Sequence, residues 1–269
     1  MASSNNSVLQ IRPAKDSETG QTAFVEVLAS LKSSLKDSFF DRLLGTYDTI
    51  CLEIVNLNQA TFFIVACPQK IEHLVRSQIA AQYPTALITP MNDYLPSWLN
   101  HGQPSCAQLS LTGPSTFPIN ITEDAKIDQM ASIVGGLSRT PAGQAAIVQI
   151  CLFAAPKNWQ KAVRSVLSAG TPSSDPTKSA SPHPQKAIIE KKLAYPAYAC
   201  DIRLAAVAQD AKLSSQLLSQ LAASFGTYAS SEGNGFKTKI PKNASISKLT
   251  QMILDRSARF SNQYQYLNF

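Results

Sequence analysis

One order of strand and helix patterns occurs twice along the 269 residues and constrains the fold more than any other feature of the chain. In the first half, two segments with apolar residues three and four positions apart predict helices. Segments in which apolar and polar residues alternate predict strands before, between and after these helices. The predicted order is a strand at 8–13, a helix at 22–36, strands at 49–57 and 60–67, a helix at 68–83 and a strand at 86–89.

The second half repeats this order with one long interruption between its central strands. Strand patterns lie at 107–111, 144–154 and around 198–204, and helical patterns begin near Ile127 and Leu213. A β-α-β-β-α-β order is that of the ferredoxin-like motif, in which two helices cover one face of an antiparallel sheet. We therefore predict an α+β fold of two tandem ferredoxin-like lobes, each with helices on one face of its own antiparallel sheet.

The segments between these patterns give the domain boundaries. We predict a first lobe at 1–90, a linker at 91–104, a second lobe at 105–242, and a C-terminal helix and tail at 243–269. A helical insertion at 156–195 interrupts the second lobe, and its Ser- and Pro-rich stretch at 169–184 predicts a disordered loop. Trp98 lies in the linker, where we expect it to pack between the lobes and not against a ligand.

Charge is distributed unevenly along the chain. Residues 1–150 carry nine Lys and Arg against twelve Asp and Glu, a net −3, whereas residues 151–269 carry fifteen against six, a net +9. A basic second half is typical of a surface that faces nucleic acid, anionic lipid or an acidic partner, or of one that is simply solvated. Nine residues are the candidate basic contact surface: Lys157, Lys161, Arg164, Lys186, Lys191, Lys192, Lys237, Lys239 and Lys242.

The five cysteines form no C-x-x-C pair, and all of them lie in or directly beside predicted strands. They are Cys51, Cys67, Cys106, Cys151 and Cys200. We interpret them as buried, reduced thiols, which favours a reducing cytoplasm. The longest apolar run, at 60–67, is far shorter than the roughly 20 residues that cross a bilayer, so no membrane span is predicted.

No motif indicates catalysis. Glu123, Asp124 and Asp128 fit the N-cap and first turn of a helix, where carboxylates complement the helix dipole. Glu53 stands alone in a strand, which favours an outward-facing position over a general base. The GNGFK segment at 233–237 follows a helix and predicts a tight turn into a short strand and not a phosphate-binding loop. We therefore predict no catalytic residue, no cofactor and no metal site.

Three segments resemble one bacterial family. Residues 51–95 contain FFIVACP (62–68), VRSQIAAQYP (75–84) and NDY (92–94), and further similarity lies in AAIVQICLFAAPKNWQKAV (145–163) and GNGFK. These segments are similar to the region that precedes the P-loop ATPase domain in type IV secretion and conjugation ATPases of the TraG, TraC and HerA-helicase kind. No G-x-x-x-x-G-K-[ST] occurs among the 269 residues.

The resemblance implies a non-catalytic assembly and interaction domain that positions the motor ATPase at the cytoplasmic face of the membrane. The implied partners are other subunits of the apparatus and the ATPase domain of the same protein. The resemblance also implies that the full-length protein is able to form an oligomer. The resemblance places membrane helices before such a domain and a RecA-like ATPase domain after it. The alternative is a sequence-nonspecific, electrostatic DNA-binding module of a DNA-transfer machine.

Overall fold

A computed structural model describes residues 6–14, 20–35, 48–99, 101–120, 128–155, 159–170, 181–194, 197–242, 244–257 and 265–268. The strands are β1 (Asn6–Arg12), β2 (Ile50–Leu57), β3 (Ala60–Pro68), β4 (Leu87–Met91), β5 (Gln103–Leu111), β6 (Ala145–Ala154), β7 (Ala197–Ala208), β8 (Phe236–Lys239) and β9 (Gln265–Asn268). The α-helices within the described ranges are α1 (Gln21–Leu31), α2 (Glu72–Gln82), α3 (Leu95–Leu99), α4 (Gln129–Ser138), α5 (Trp159–Ala169), α6 (Lys186–Ala194), α7 (Ala211–Ala223) and α8 (Ala244–Leu254).

All nine strands of the described residues belong to one antiparallel sheet. Its order is β4-β1-β3-β2-β6-β7-β5-β8, and β9 pairs with the beginning of β7. The two halves of the chain meet where β2 pairs with β6, from Ile50 opposite Leu152 to Leu57 opposite Ala145. We call this pairing the seam. The prediction of two tandem ferredoxin-like lobes is therefore wrong, because the halves share a single sheet.

The seam has a simple physical cause. Without the seam, β2 would be an edge strand of the first half and β6 an edge strand of the second, each with a row of unpaired backbone N–H and C=O groups. Both β2 and β6 are almost entirely buried on both sides, so neither could face water as an edge. Pairing them satisfies the backbone groups and buries both strands at once.

Helices cover both faces of the sheet, which corrects the prediction that they lie on one face. On the first face, α1, α2, α4 and α7 contribute buried side chains such as Leu28, Val75 and Leu217 to one apolar cluster. On the second face, α3 and α8 contribute Trp98 and Ile253 to another. Strand residues alternate between the two clusters, as a period of two requires. Trp98 therefore packs on the sheet and not between separate lobes.

A two-residue turn explains the first hairpin. Asn58 and Gln59 both have positive φ, 51° and 65°, and they join β2 to β3 with Leu57 opposite Ala60. Positive φ at both central positions is the type I′ turn, whose twist matches that of the flanking strands.

The insertion forms a small apolar cluster of its own. Its helices α5 and α6 pack through Trp159, Val163, Ile189 and Leu193. Both helices lie within the predicted helical insertion at 156–195. The central part of the predicted disordered loop, 171–180, lies outside the described residues.

Two cysteines at the seam are bonded to each other. Cys51 and Cys151 lie directly opposite in the register of β2 and β6, with 4.2 Å between their Cα atoms, and form a disulfide. The prediction that all five cysteines are reduced is therefore wrong for this pair, because the seam brings together two strands that the sequence did not indicate as neighbours. Cys67, Cys106 and Cys200 are buried thiols that take no part in a disulfide, and burial raises the pKa of Cys67 to about 12. Within the described residues, no helix has both the length and the apolar character that a bilayer crossing requires.

Candidate functional site

A row of polar side chains crosses the seam on the second face of the sheet. Glu53 of β2, Gln149 of β6, Arg203 of β7 and Gln108 of β5 are successive neighbours in the strand register. Glu53, Gln149 and Arg203 are at most 1% exposed. A buried charge is costly unless it is paired and hydrogen-bonded, so each of these groups needs partners inside the protein.

Arg203 uses all five of its N–H donors. Its Nε and Nη2 both contact Asp201 Oδ2, at 2.9 and 2.6 Å, and its Nη1 donates to Gln149 Oε1. Nη1 also donates to the carbonyl oxygen of Met252, at 2.6 Å, and Nη2 to that of Ser257. Met252 lies in the last turn of α8, where carbonyls lack intrahelical partners and attract cations. Arg203 therefore binds the C-terminal end of α8 to the middle of the sheet.

Arg256 makes the second connection between α8 and the sheet. Its guanidinium lies between two carboxylates, with Nε 2.8 Å from Glu53 Oε1 and Nη1 2.8 Å from Asp93 Oδ2. Burial opposes the charge of Arg256, but Glu53 and Asp93 outweigh it and raise the pKa of the guanidinium. Glu53 also accepts hydrogen bonds from the Tyr94 hydroxyl and the Gln149 amide, each at 2.8 Å.

The backbone of Arg256 is also unusual. With φ of 49° it is left-handed, immediately after the residue that follows α8. The N–H of Ser257 donates to the carbonyl of Met252, and the N–H of Arg256 to that of Ile253. This is a Schellman ending, in which glycine is the usual left-handed residue. This position holds an arginine instead, and its side chain forms the ion pairs with Glu53 and Asp93.

We call Glu53, Asp93, Tyr94, Gln108, Gln149, Asp201, Arg203 and Arg256 the polar network. Burial and the nearby Glu53 carboxylate raise the pKa of Tyr94 well above its ordinary value, which keeps the phenol protonated as a donor. The prediction that Glu53 faces outward is wrong, because β2 is buried on both sides. No motif in the sequence indicated the other members. A usable signal was present, namely charged or amide residues in the middle of the mostly apolar strands β2, β6 and β7.

The network has the charges of a catalytic site but not its accessibility. Its side chains are bonded to one another and to the end of α8, so they hold this helix in a fixed position on the sheet. Among the described residues, no group of three His, Cys, Asp or Glu is placed to hold a metal ion. Asp128 accepts a hydrogen bond from the N–H of Met130 and so caps α4, as predicted, whereas Glu123 and Asp124 lie outside the described residues.

The nine basic candidates separate into three groups. Lys157 lies outside the described residues. Lys192 is only 5% exposed, and its Nζ donates to the carbonyls of Ser115 and Phe117. The prediction that Lys192 belongs to the contact surface is therefore wrong, because on α6 this side chain points toward the loop that follows β5. The other seven are exposed: Lys161 and Arg164 on α5, Lys186 and Lys191 on α6, and Lys237, Lys239 and Lys242 at the β8 edge.

The segment at 233–237 is a turn that leads into the short strand β8, as predicted. Asn234 is buried, and its side-chain amide donates to the carbonyls of Pro114 and Phe117 while its Oδ1 accepts from the N–H of Gly113. A side chain at Gly233 would collide with the carbonyl oxygen of Pro118. The turn and the loop that follows β5 therefore hold each other in place.

A shallow depression lies between α4 and α7. Its lining includes Gly135, Gly136, Arg139, Gln220 and Ser224. Arg139 is the one charged side chain in that lining, so the depression offers no set of converging acid and base groups.

A family model matches residues 1–266, which is nearly the whole chain. The chain belongs to the DUF8128 family. The description of DUF8128 is a domain of unknown function. No protein of curated function matches this DUF8128 chain in sequence. Among solved structures, it is similar to the crystal structure of the glycopeptide hexose oxidase DBV29 complexed with teicoplanin, at 11% identity and a TM-score of 0.37. The match covers 98% of the DUF8128 chain but 50% of the oxidase chain, and so weak a similarity carries no argument about function.

Proposed function

We propose that this DUF8128 chain is a non-catalytic assembly and interaction domain of a type IV secretion or conjugation motor ATPase. In this role it lies at the cytoplasmic face of the membrane and positions the ATPase. The resemblance of residues 51–95, 145–163 and 233–237 to the region before the P-loop domain of these ATPases motivates the proposed role in such a motor. With Cys51 and Cys151 bonded, cysteine chemistry no longer argues for the cytoplasm, and the resemblance alone supports that location.

The polar network is the observation that carries the proposal. It connects strands from both halves of the chain to the end of α8, through Arg203 and Arg256. The chain continues beyond α8 to β9, which pairs with β7 in the same sheet, so a domain attached after β9 would begin from a segment held against the sheet. Such a fixed attachment is what a positioning domain of a motor needs, since a mobile linker would not orient the ATPase.

The charged groups also support a role other than catalysis. A catalytic acid or base must reach its substrate, whereas Glu53, Arg203 and Arg256 are buried and bonded to each other. Among the described residues, the surfaces available to partners include the exposed helix faces and the β8 edge. We propose the ATPase domain of the same protein and other subunits of the apparatus as those partners.

The test is a binding and activity experiment with the purified chain. We expect no ATP hydrolysis by the chain alone, and we expect it to bind the separately purified ATPase domain encoded downstream in the same reading frame. Binding is measured by analytical ultracentrifugation of the mixture. ATP hydrolysis that one point substitution in this chain abolishes would contradict the proposal, and so would a reading frame without a P-loop.

A DNA-binding module is the second candidate. The observation that favours it is the exposure of seven of the predicted basic residues on α5, α6 and the β8 edge. Contacts of this kind are made to phosphates and weaken steeply as salt increases. Titration of single- and double-stranded DNA at several salt concentrations tests it, and absence of binding at low ionic strength eliminates it.

A further inference from the structure

The segment that joins the edge of the sheet to α8 is both basic and apolar at its surface. Four lysines are exposed along it: Lys237, Lys239, Lys242 and Lys248. Between them lie Ile240, which is 60% exposed, and Ile246, which is 41% exposed. No acidic residue occurs between Glu232 and Asp255. We call these six residues the basic rim.

The fold brings the two ends of the basic rim to one side of the sheet. Lys237 and Lys239 are opposite Ser110 and Gln108 in the register of β8 and β5. Gln108 belongs to the polar network, so both lysines stand on the face that α8 covers. Helix α8 packs over β5 there, and Thr250 Oγ1 lies 3.7 Å from Cys106 Sγ.

The connection between β8 and α8 is short, since four residues separate Lys239 from Ala244. The N–H of Ser245 donates to the carbonyl of Lys242. Helix α8 then buries Leu249 and Ile253 and leaves Ile246 and Lys248 at the surface. Helix α8 therefore contributes Ile246 and Lys248 to the basic rim, and β8 with the residues that follow it contributes the other four.

Protection of an edge strand explains only part of this pattern. Lysines on an edge strand discourage pairing with another chain, which accounts for Lys237 and Lys239 on β8. It does not account for Lys242 and Lys248, which lie beyond the strand. It also does not account for Ile240 and Ile246, since exposed apolar side chains favour association.

We propose that the basic rim docks on a bilayer surface that carries anionic lipid headgroups. The lysines contact the headgroups, and Ile240 and Ile246 enter the boundary between headgroups and acyl chains. DNA would attract the same lysines but would leave both isoleucines in water, so their exposure favours the lipid surface. The inference rests on the proposed function in that it names the surface by which such a module would meet the membrane.

The experiment is co-sedimentation of the purified chain with vesicles. We expect binding to vesicles that contain phosphatidylglycerol, no binding to pure phosphatidylcholine vesicles, and loss of binding as salt increases. A lysine near an anionic surface contributes about fivefold to binding. We therefore expect the quadruple variant with Lys237, Lys239, Lys242 and Lys248 each replaced by Gln to lose at least about a hundredfold in affinity.

Two further variants separate this docking mode from general attraction of a basic protein. Replacement of Ile240 and Ile246 by Ser should lower vesicle affinity about tenfold at unchanged net charge. The charge-matched control replaces Lys161, Arg164, Lys186 and Lys191 of the insertion by Gln, and it should bind within about twofold of the unmodified chain. Thermal unfolding followed by circular dichroism establishes that each variant is folded.

Several outcomes would overturn the inference. These are equal loss in the insertion control and the rim variant, unchanged binding by the isoleucine variant, or failure of the unmodified chain to bind anionic vesicles. Binding of DNA but not of vesicles, lost in the rim variant, would assign the basic rim to nucleic acid. The vesicle experiment contains no ATPase domain and the ATPase-binding experiment contains no lipid, so failure of the docking surface is distinguishable from failure of the proposed function.

Discussion

The guanidinium of Arg256 contacts the carboxylate of Glu53 although 203 residues separate them, with 2.8 Å between Nε and Oε1. Glu53 lies in the middle of β2 at the seam, and Arg256 lies just past the end of α8. Their pairing therefore connects the centre of the sheet to the last helix. Both side chains are almost completely buried, at 0% and 1% exposure, so the ion pair is shielded from solvent.

Breaking this pair from one side should destabilise the fold strongly. We expect Arg256→Met to lower the free energy of unfolding by about 3 to 5 kcal/mol, because Glu53 and Asp93 are left as buried or partly buried carboxylates without their cation. The measurement is urea unfolding followed by circular dichroism. The double variant Glu53→Leu, Arg256→Met should recover part of the loss, since removal of both charges removes the uncompensated one. A loss below about 1 kcal/mol for Arg256→Met would show that the pair is not an important contact.

The left-handed backbone of Arg256 gives a second prediction that does not depend on the ion pair. Arg256→Gly and Arg256→Ala both remove the guanidinium, but only glycine adopts φ of 49° without a steric penalty. We expect the Gly variant to be about 1 kcal/mol more stable than the Ala variant. Equal urea midpoints for the two variants would contradict a Schellman ending at this position.

The disulfide at the seam predicts sensitivity to reductants. Cys51 and Cys151 close a loop with a sequence separation of 100, and a native disulfide of this kind contributes about 2 to 4 kcal/mol. We expect reduction, or the double variant Cys51→Ala, Cys151→Ala, to lower the free energy of unfolding by that amount.

Thiol titration checks the disulfide directly. The denatured, unreduced chain should react at three thiols, Cys67, Cys106 and Cys200, and the reduced chain at five. Five reactive thiols before reduction would show that the pair is not bonded in solution.

The buried Lys192 predicts a dependence of stability on alkaline pH. Burial lowers its pKa from 10.5 to about 8, and the nearby Cys200 opposes that effect. The unfolded chain therefore binds more protons than the folded chain between pH 8 and 10.5, and this lysine makes the fold more stable as the pH rises through that range.

A comparison of two chains isolates this effect, because other groups also titrate in the alkaline range. The Lys192→Met variant lacks the contribution, so the stability of the unmodified chain minus that of the variant should increase from pH 7.5 to 10.5 by an amount on the order of 3 kcal/mol. Urea unfolding at several pH values measures it. A constant difference would mean that Lys192 titrates normally in the folded protein.

The sequence predicted the local elements of this protein well because their signals are local. Alternating residues indicate β2, β3 and β6, and helical spacing indicates α2, α5 and α6, at nearly the observed positions. The turn at Asn58 and the cap at Asp128 also follow from their immediate neighbours. In each case the deciding interaction spans at most a few residues along the chain.

The tertiary structure decided everything that depends on pairing between distant strands. Whether β2 pairs with β6 depends on the exposed edges of the two halves, and no residue in either strand identifies its partner. That single pairing merges the halves into one sheet, brings Cys51 to Cys151, and converts Glu53 from a predicted surface residue into the buried partner of Arg256. The sequence by itself determined that this chain has strands and helices in a repeated order, since those depend on periodicity. Which charges are buried, and against what, required the sheet, because burial is a property of the assembled fold.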